Sequence, residues 1–449
     1  MKKYLEAGVF IGFFIILIAC IQSSSAEEIT LNFVFPEPEI NQVNISNNVS
    51  DYITMQNLTN IGNPNLPLIP IKPLKILLPQ KGVLESINVT YNGNISMGDE
   101  YNVVTVNYPF NNFTSMDHNC SNETYYTSYN SSIPYPTNSY SIIGIYDFRG
   151  YSILVFNLYP VFYIKDTGEI YYYENMTVTI TTNESGSVNS LFTGLESDKM
   201  YMRTLVDDFS MDNTYISYAN HSHSSIVNPE DHFDYVIITR DDFINAAPNP
   251  LDAHEWHTFQ ELADYKNDTG VITNIVTVNE IINNPYYRGY SESSLDDCDD
   301  TQSRIRNFIK DAKENWGITY VLLGGDDDII PARLLWYTSG TLLAPYINSC
   351  PSDLYYSCLD GPFNGVDDDG FWGKPNDGID GNDVDLCADV YVGRACVSNT
   401  REVSNFVSKT LTYEMSDNHE DYIENVLLVG EILDIKMSGE DIIENPDNW

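Results

Sequence analysis

The hydrophobic period changes once along the chain, and that change limits the possible folds more than any other feature. From about Glu28 to Glu196 the sequence runs in short segments rich in Val, Ile, Thr and Tyr: ITLNFVF, LKILLP, INVTY, YNVVTVNY, YSILVFNLYPVFYI and MTVTITT. Alternation of apolar and polar residues marks half-buried strands, and the Asn, Gly and Pro between the runs mark turns. No stretch there longer than a turn has helical spacing, so an all-β, sandwich-like domain is expected. After about Asp231 strands alternate with amphipathic helices, which predicts a doubly wound α/β domain on a parallel sheet.

Within that second part, Tyr235 to Thr239 reads as a strand and Leu251 to Lys266 as a helix with Phe259, Leu262 and Ala263 on one face. Val271 to Val278 is the next strand. A second helix carries Ile305, Phe308, Ile309, Ala312 and Trp316 at helical spacing and stops at Gly317. Then comes TYVLLGGDDDIIPAR, Thr319 to Arg333. Val321, Leu322 and Leu323 have no polar alternation, as in a strand buried on both faces. Gly324, Gly325 and Asp326 to Asp328 follow at its carboxyl end, where ligands gather in open α/β sheets. A strand at Asp389 to Gly393, a helix at Thr400 to Glu414 and a strand at Asn425 to Val429 complete the pattern. Asn399 and Glu402 have capping-box spacing, and Val403, Phe406, Val407 and Leu411 form the buried face.

The length of 449 residues fits two folded units plus a leader. The expected division is a signal peptide over 1–26, a β domain over 27–195, a linker over 196–231 and an α/β domain over 232–449. Lys2 and Lys3 precede an apolar stretch, Ala7 to Ala19, too short for a comfortable membrane span and suited to export. Ser24 and Ala26 suit cleavage before Glu27. Leu17 to Cys20 also resembles a lipoprotein box, in which a lipid on Cys20 would be the one membrane attachment. Either route takes the chain to the cell surface or beyond. Sequons crowd the β domain, among them Asn44, Asn48, Asn57, Asn88, Asn94, Asn112 and Asn175, in agreement with an exposed secreted surface, although in so Asn-rich a segment chance accounts for many of them. Lys199 and Arg203 in the linker would be accessible to a protease, unless the segment is an ordered connector.

With 64 Asp plus Glu against 22 Lys plus Arg, the formal net charge is -42. So acidic a surface repels phosphate backbones, which excludes nucleic acid as an expected partner. Acids occur along the whole chain, so only local clustering can argue for metal. Between Ser352 and Arg394 ten aspartates are interleaved with seven glycines in a segment without helical pattern. Such a loop can wrap calcium, which takes several oxygen ligands, or it can be a solvated acidic loop. Asp326, Asp367, Asp369, Asp380, Asp383 and Asp385 are the candidate ligands. His254 and His257 in HEWH lack the spacing of a zinc pair. Six cysteines beyond the leader, at 120, 298, 350, 358, 387 and 396, point to disulfides in an oxidising compartment. Cys350 with Cys358 and Cys387 with Cys396 are candidate local pairs among fifteen connectivities.

Taken in order, DYVIIT, ELADYKNDTGVIT, RIRNFIKDAKENWGITYVLLGGDDDIIPAR, DLYYSCLDG, DVYVGRACVSNTREVSNFVSKTLTYE and NVLLVGE resemble the catalytic domain of the gingipain family of secreted cysteine endopeptidases, over residues 234–431. The β domain, with GNPNLPLIPIKPLKILLPQKG, looks like that family's propeptide. The resemblance implies a caspase-like α/β fold, calcium sites, protein or peptide substrates, and maturation by cleavage between the two parts. In the family a His after a glycine, on a strand later than NVLLVGE, is the base, and the nucleophilic Cys ends the strand after that. Neither position falls within these residues, which stop at Trp449. His419, Cys387 and Cys396 lie elsewhere in the order and are not expected to form the dyad. Glu431 matches the family's acid beside the catalytic His, its other reading being a calcium ligand or loop acid. Asp441 lies where acids near the substrate pocket occur. Two expectations follow: a calcium-stabilised endopeptidase precursor cut off before its dyad, inactive alone, or a non-catalytic calcium-binding extracellular module on the same scaffold.

Overall fold

The computed structural model describes residues 27–45, 48–62, 66–105, 130–217, 225–245, 256–289, 298–336, 349–363, 371–374, 377–378 and 384–416. The leader, Cys120, His254 and the expected strand at 425–429 lie outside them. The first part is all β. In chain order its strands are β1 (Glu27–Val34), β2 (Glu39–Ile45), β3 (Asn48–Thr54), β4 (Thr59–Ile61), β5 (Ile69–Leu77), β6 (Val83–Tyr91), β7 (Ile95–Gly98), β8 (Tyr140–Phe148), β9 (Tyr151–Leu158), β10 (Val161–Ile164), β11 (Glu169–Tyr172) and β12 (Asn175–Asn183). One antiparallel sheet runs β1-β12-β6 and another β4-β5-β9-β8, with β10-β11-β7 and the β2-β3 hairpin beside them. The alternation does what period two requires. On β12, Met176, Val178 and Ile180 are buried while Thr177, Thr179 and Thr181 face outward. The buried set meets Leu74, Ile76, Leu154, Phe156 and Leu158 of the β5-β9 sheet in one core, a sandwich. Of YNVVTVNY, the described residues make only single bridges, Val103 to Asp51 and Thr105 to Pro67.

The connector is ordered where described. Helix α1 (Glu196–Leu205) is followed by a 3-10 turn at Ser210–Thr214. Lys199 pairs with Asp212, and Arg203 lies over the Phe209 ring at 5.5 Å.

The second part contains β13 (Tyr235–Thr239), α2 (Asp241–Ile244), α3 (Phe259–Asp268), β14 (Thr273–Thr277), α4 (Val278–Asn283), α5 (Thr301–Trp316), β15 (Tyr320–Gly324), β16 (Arg333–Trp336), β17 (Ser349–Ser352), α6 (Leu354–Ser357), β18 (Tyr391–Ala395) and α7 (Thr400–Glu414). Its main sheet has the order β14-β13-β15-β18, every pair parallel. Both faces are covered. Ile237 and Leu322 pack with Phe259, Leu262, Val403 and Val407 of α3 and α7. Val236, Ile238, Val321 and Leu323 pack on the other side with Ile305, Phe308, Ile309 and Ala312 of α5. That two-sided burial is why these strands show no polar alternation. Helix α5 begins at a capping box, Asp300 accepting the Ser303 N–H at 2.8 Å. It ends at Gly317, whose φ of 77° is the left-handed conformation a glycine C-cap adopts without strain. At α7, Asn399 accepts from the Arg401 and Glu402 N–H groups, but Glu402 reaches back to the Ser398 N–H at 2.8 Å rather than to that of Asn399.

The two parts meet at the amino ends of the parallel strands. The tip of the β8-β9 hairpin inserts there: the Arg149 N–H donates to Asp389 Oδ1 at 2.8 Å, just before β18, and the Asp147 N–H to Asp385 Oδ2 at 2.9 Å. The Arg149 guanidinium lies 4.8 Å over the Tyr391 ring and donates to Asp198 Oδ1 of α1 at 2.6 Å. Asp198 Oδ2 accepts from Lys313 Nζ of α5 at 2.9 Å. Asn189 donates to Asp360 Oδ2 at 2.8 Å. A buried ion triad from hairpin, connector and α5 therefore spans the junction.

Acids outnumber bases at this junction, with a consequence for pH. Burial pushes the Asp389 carboxyl up to about 7, with Asp385 adding to the shift against the two backbone N–H bonds and Lys313. Burial, then Asp389, Asp147 and Asp385, also raise Asp360 well above the usual carboxylate range. The folded chain thus holds protons that the unfolded chain releases near pH 4, so native stability is expected to fall as pH rises from about 4 to about 7. Melting temperatures taken across that range at constant ionic strength check this, and a continuous rise would contradict it.

Candidate functional site at the carboxyl edge of the sheet

The strand order places the topological switch between β13 and β15, the position at which doubly wound sheets open a crevice beyond their carboxyl ends. Thr239 closes its base by donating to the Gly324 carbonyl at 2.6 Å. The chain then turns through Gly325 to Asp326. Asp326 Oδ1 accepts the Asp327 N–H at 2.8 Å and its Oδ2 accepts the Ser398 hydroxyl at 3.1 Å. Asp327 Oδ1 accepts the Ala332 N–H at 2.8 Å. The three aspartates thus shape their own turn, which is why they follow the strand so abruptly.

Beside this turn lies a cavity of about 760 Å³ whose lining includes Asp326, Asp327, Arg333, Asp353, Trp372 and Arg394. Arg394, on β18, forks onto Asp353 with both N–O distances 2.7 Å, and its third nitrogen donates to the Gly325 and Ile330 carbonyls at 2.8 and 2.7 Å. It thereby ties the end of β18 to the turn after β15. Arg333 forks onto Asp300 at 2.8 and 2.9 Å, and its guanidinium lies 3.8 Å from the Trp372 ring centroid and 4.5 Å from that of Tyr355. With both arginines paired, the acids of the turn set the sign of the cavity, which suits a cationic group or a polarised metal-bound water more than an anion.

Asp326 sits at this edge. Asp385 does not: its oxygens accept the Asp147 and Cys387 N–H groups at the amino edge. The structure does not bring the two together. Asp367, Asp369, Asp380, Asp383, Glu431 and Asp441 lie outside the described residues. Among the described residues no group of three or more His, Cys, Asp or Glu side chains is arranged to hold a metal. His257 is held by Glu261 at 3.0 Å, one turn away on the α3 face.

The candidate disulfides need correction. Cys350 is not bonded to Cys358, nor Cys387 to Cys396: Cys358 is buried in the core while Cys350 and Cys396 are exposed. The local pairing was inferred from sequence proximity, but strand and loop geometry sends the members of each pair to different depths. Burial, with Asp389 adding to it, pushes the Cys358 thiol far up. Burial and then Asp385 push that of Cys387 up to about 12. Neither is a ready nucleophile.

Sequence reasoning missed Arg394, Arg333 and Asp353. A signal existed for the first, since VYVGR ends an apolar strand on a cation. It also missed Lys313, which follows Ile309 by four and precedes Trp316 by three and so lies on the apolar face of α5.

Comparison with known proteins finds two family models in tandem: the C25 propeptide over residues 17–197 and peptidase family C25 over residues 228–447. Among solved structures, the complex of RgpB pro- and mature domains from Porphyromonas gingivalis aligns with TM-score 0.30 and 17% identity, over 39% of this chain and 90% of that one. A structure addressing zymogenic latency of gingipain K from the same organism aligns at 0.26 and 13%, over 37% and 95%. The Arg-specific cysteine proteinase gingipain R aligns at 0.22 and 17%, over 43% of this chain and 30% of that one. No curated protein matches. The family assignment rests on the paired models, which cover the β part and the α/β part in the order that a precursor requires: the chain belongs to peptidase family C25, the gingipains, and is a cysteine peptidase precursor with propeptide and catalytic segments.

Proposed function

We propose that the chain is the precursor of a secreted endopeptidase that hydrolyses peptide bonds in proteins. In this reading residues 27–195 are the propeptide, 196–231 the connector cut on maturation, and 232–449 belong to a caspase-like catalytic domain. The observation that carries it is the cavity beside the acidic turn after β15, which Arg394 at the carboxyl end of β18 also lines, in the segment that matches the peptidase model. Glu431 is assigned the role of orienting the catalytic imidazole, and Asp441 that of an acid near the substrate. Neither Cys358 nor Cys387 is the nucleophile, because a buried thiol kept protonated cannot attack a carbonyl. In matured protein that hydrolyses a denatured protein substrate, iodoacetamide should abolish that hydrolysis, whereas Cys358→Ala and Cys387→Ser should retain it. Loss of activity in either variant at an unchanged melting temperature would overturn the assignment.

Calcium is proposed as a structural ion near the Asp326 turn, with ligands from the acidic stretch 364–383. Asp326 fits such a role, because each of its oxygens accepts one hydrogen bond and keeps a second lone pair. Asp385 would not share that site, since its oxygens face the domain junction at the amino edge of the sheet. At millimolar calcium the melting temperature is expected to exceed that in EDTA by several degrees, as binding to the native state alone requires. An identical melting temperature in both would remove calcium from the account.

A further inference from the structure

The sequons remain unused by the peptidase reading, and their distribution is uneven. Of 24 asparagines in residues 27–195, 11 begin an Asn-x-Ser/Thr sequon, against 1 of 19 in residues 232–449. The structure sorts these asparagines further. In the β domain, three of those outside sequons have structural tasks: Asn60 donates to the Ile53 carbonyl at 2.7 Å, Asn102 to that of Val49 at 3.2 Å, and Asn189 to Asp360 across the junction, while the side chains of the sequon residues Asn130, Asn175 and Asn183 bond only to residues within two positions of themselves. The sequon residues Asn44, Asn57, Asn88 and Asn94 are exposed, and their amides make no hydrogen bond to a described residue. On β6 the pleat sends Asn88 and Thr90 to the same exposed side, so amide and sequon hydroxyl are presented together. Asn94 lies in the turn before β7, and Asn57 in a turn at φ 62°, a conformation Asn tolerates.

We propose that this domain is N-glycosylated, with Asn44, Asn57, Asn88 and Asn94 as acceptors. The donor class is an oligosaccharide on a lipid pyrophosphate. Asn Nδ2 forms a bond to the anomeric carbon of the sugar, the bond from that carbon to the pyrophosphate oxygen breaks, the lipid pyrophosphate leaves with the electron pair, and Nδ2 gives up one proton. The sugars would leave the junction contacts untouched, because none of these residues belongs to the hairpin tip or the connector. They add bulk and solubility where the sheet is most exposed. Asn267, the sequon of the α/β part, is the exception. Its Oδ1 accepts the Thr273 N–H at 2.8 Å and its Nδ2 points to the Thr273 carbonyl at 3.4 Å, bridging the end of α3 to β14. A sugar there would displace that bridge, so Asn267 stays bare.

The test is peptide mapping by mass spectrometry of the full chain exported by its own host, together with the Asn88→Gln variant. Sugar mass on peptides holding two or more of the four acceptors, a bare Asn267 peptide, and loss of one glycan from Asn88→Gln at unchanged melting temperature are expected. Unmodified peptides at three or all four acceptors, or occupancy of Asn267 equal to theirs, would overturn the proposal. Neither result depends on peptidase activity.

Discussion

Replacing Asp198 by alanine is expected to destabilise the chain more than any other single change at the junction. The carboxylate holds Arg149 at 2.6 Å on one oxygen and Lys313 at 2.9 Å on the other, and all three side chains are at most 3% exposed. Its removal leaves two cations buried side by side. Breaking a buried ion pair in this way costs about 3–5 kcal/mol, because the stranded charge keeps its desolvation penalty and loses its compensation. Lys313→Met should cost less, since Asp198 keeps Arg149 and the methionine fills the space. Ala at Lys199, whose pair with Asp212 is partly exposed, should cost no more than about 1 kcal/mol. Urea unfolding of the three variants gives the ranking directly. If Asp198→Ala lies within about 1 kcal/mol of the parent, the triad is not what holds the junction.

The second large effect is expected at Arg394. Methionine there strands the Gly325 and Ile330 carbonyls and removes both bonds to Asp353. An unsatisfied buried carbonyl costs about 1–3 kcal/mol, so the loss should reach several kcal/mol. It should also loosen the turn carrying Asp326 and Asp327, and any calcium-dependent rise in melting temperature should shrink with it. Arg394→Lys should recover less than half of the stability, because an ammonium cannot hold a planar fork and two carbonyls at once. Full recovery by lysine would mean that charge alone, and not geometry, positions the turn.

Much of the α/β scaffold was legible because its determinants are local. Unbroken apolar runs at β13 and β15 reported burial on both faces, Asn399 reported the start of α7, and Gly317 reported the end of α5. Boundaries shifted by a few residues where capping chemistry took precedence over hydrophobic spacing. Thr258 accepts the Glu261 N–H, so α3 starts at Phe259 rather than near Leu251. The site was less legible. The aspartates of the turn are visible in sequence, but Ser398, which donates to Asp326, and Arg394, which holds the turn's carbonyls, come from other elements.

Sequence by itself therefore determined the period switch, the β-then-α/β order, the parallel sheet, the position of the acidic turn at a strand end and the family. Only the tertiary structure decided that Asp326 and Asp385 belong to opposite ends of the sheet. It alone also showed that the two candidate cysteine pairs, Cys350 with Cys358 and Cys387 with Cys396, do not form, and that Arg149, Asp198 and Lys313, far apart in sequence, share one buried triad. The physical reason is range. Strand and helix patterns depend on neighbours within a turn or two, whereas pairing of charges and thiols depends on which elements the sheet order brings together, and no local period encodes that.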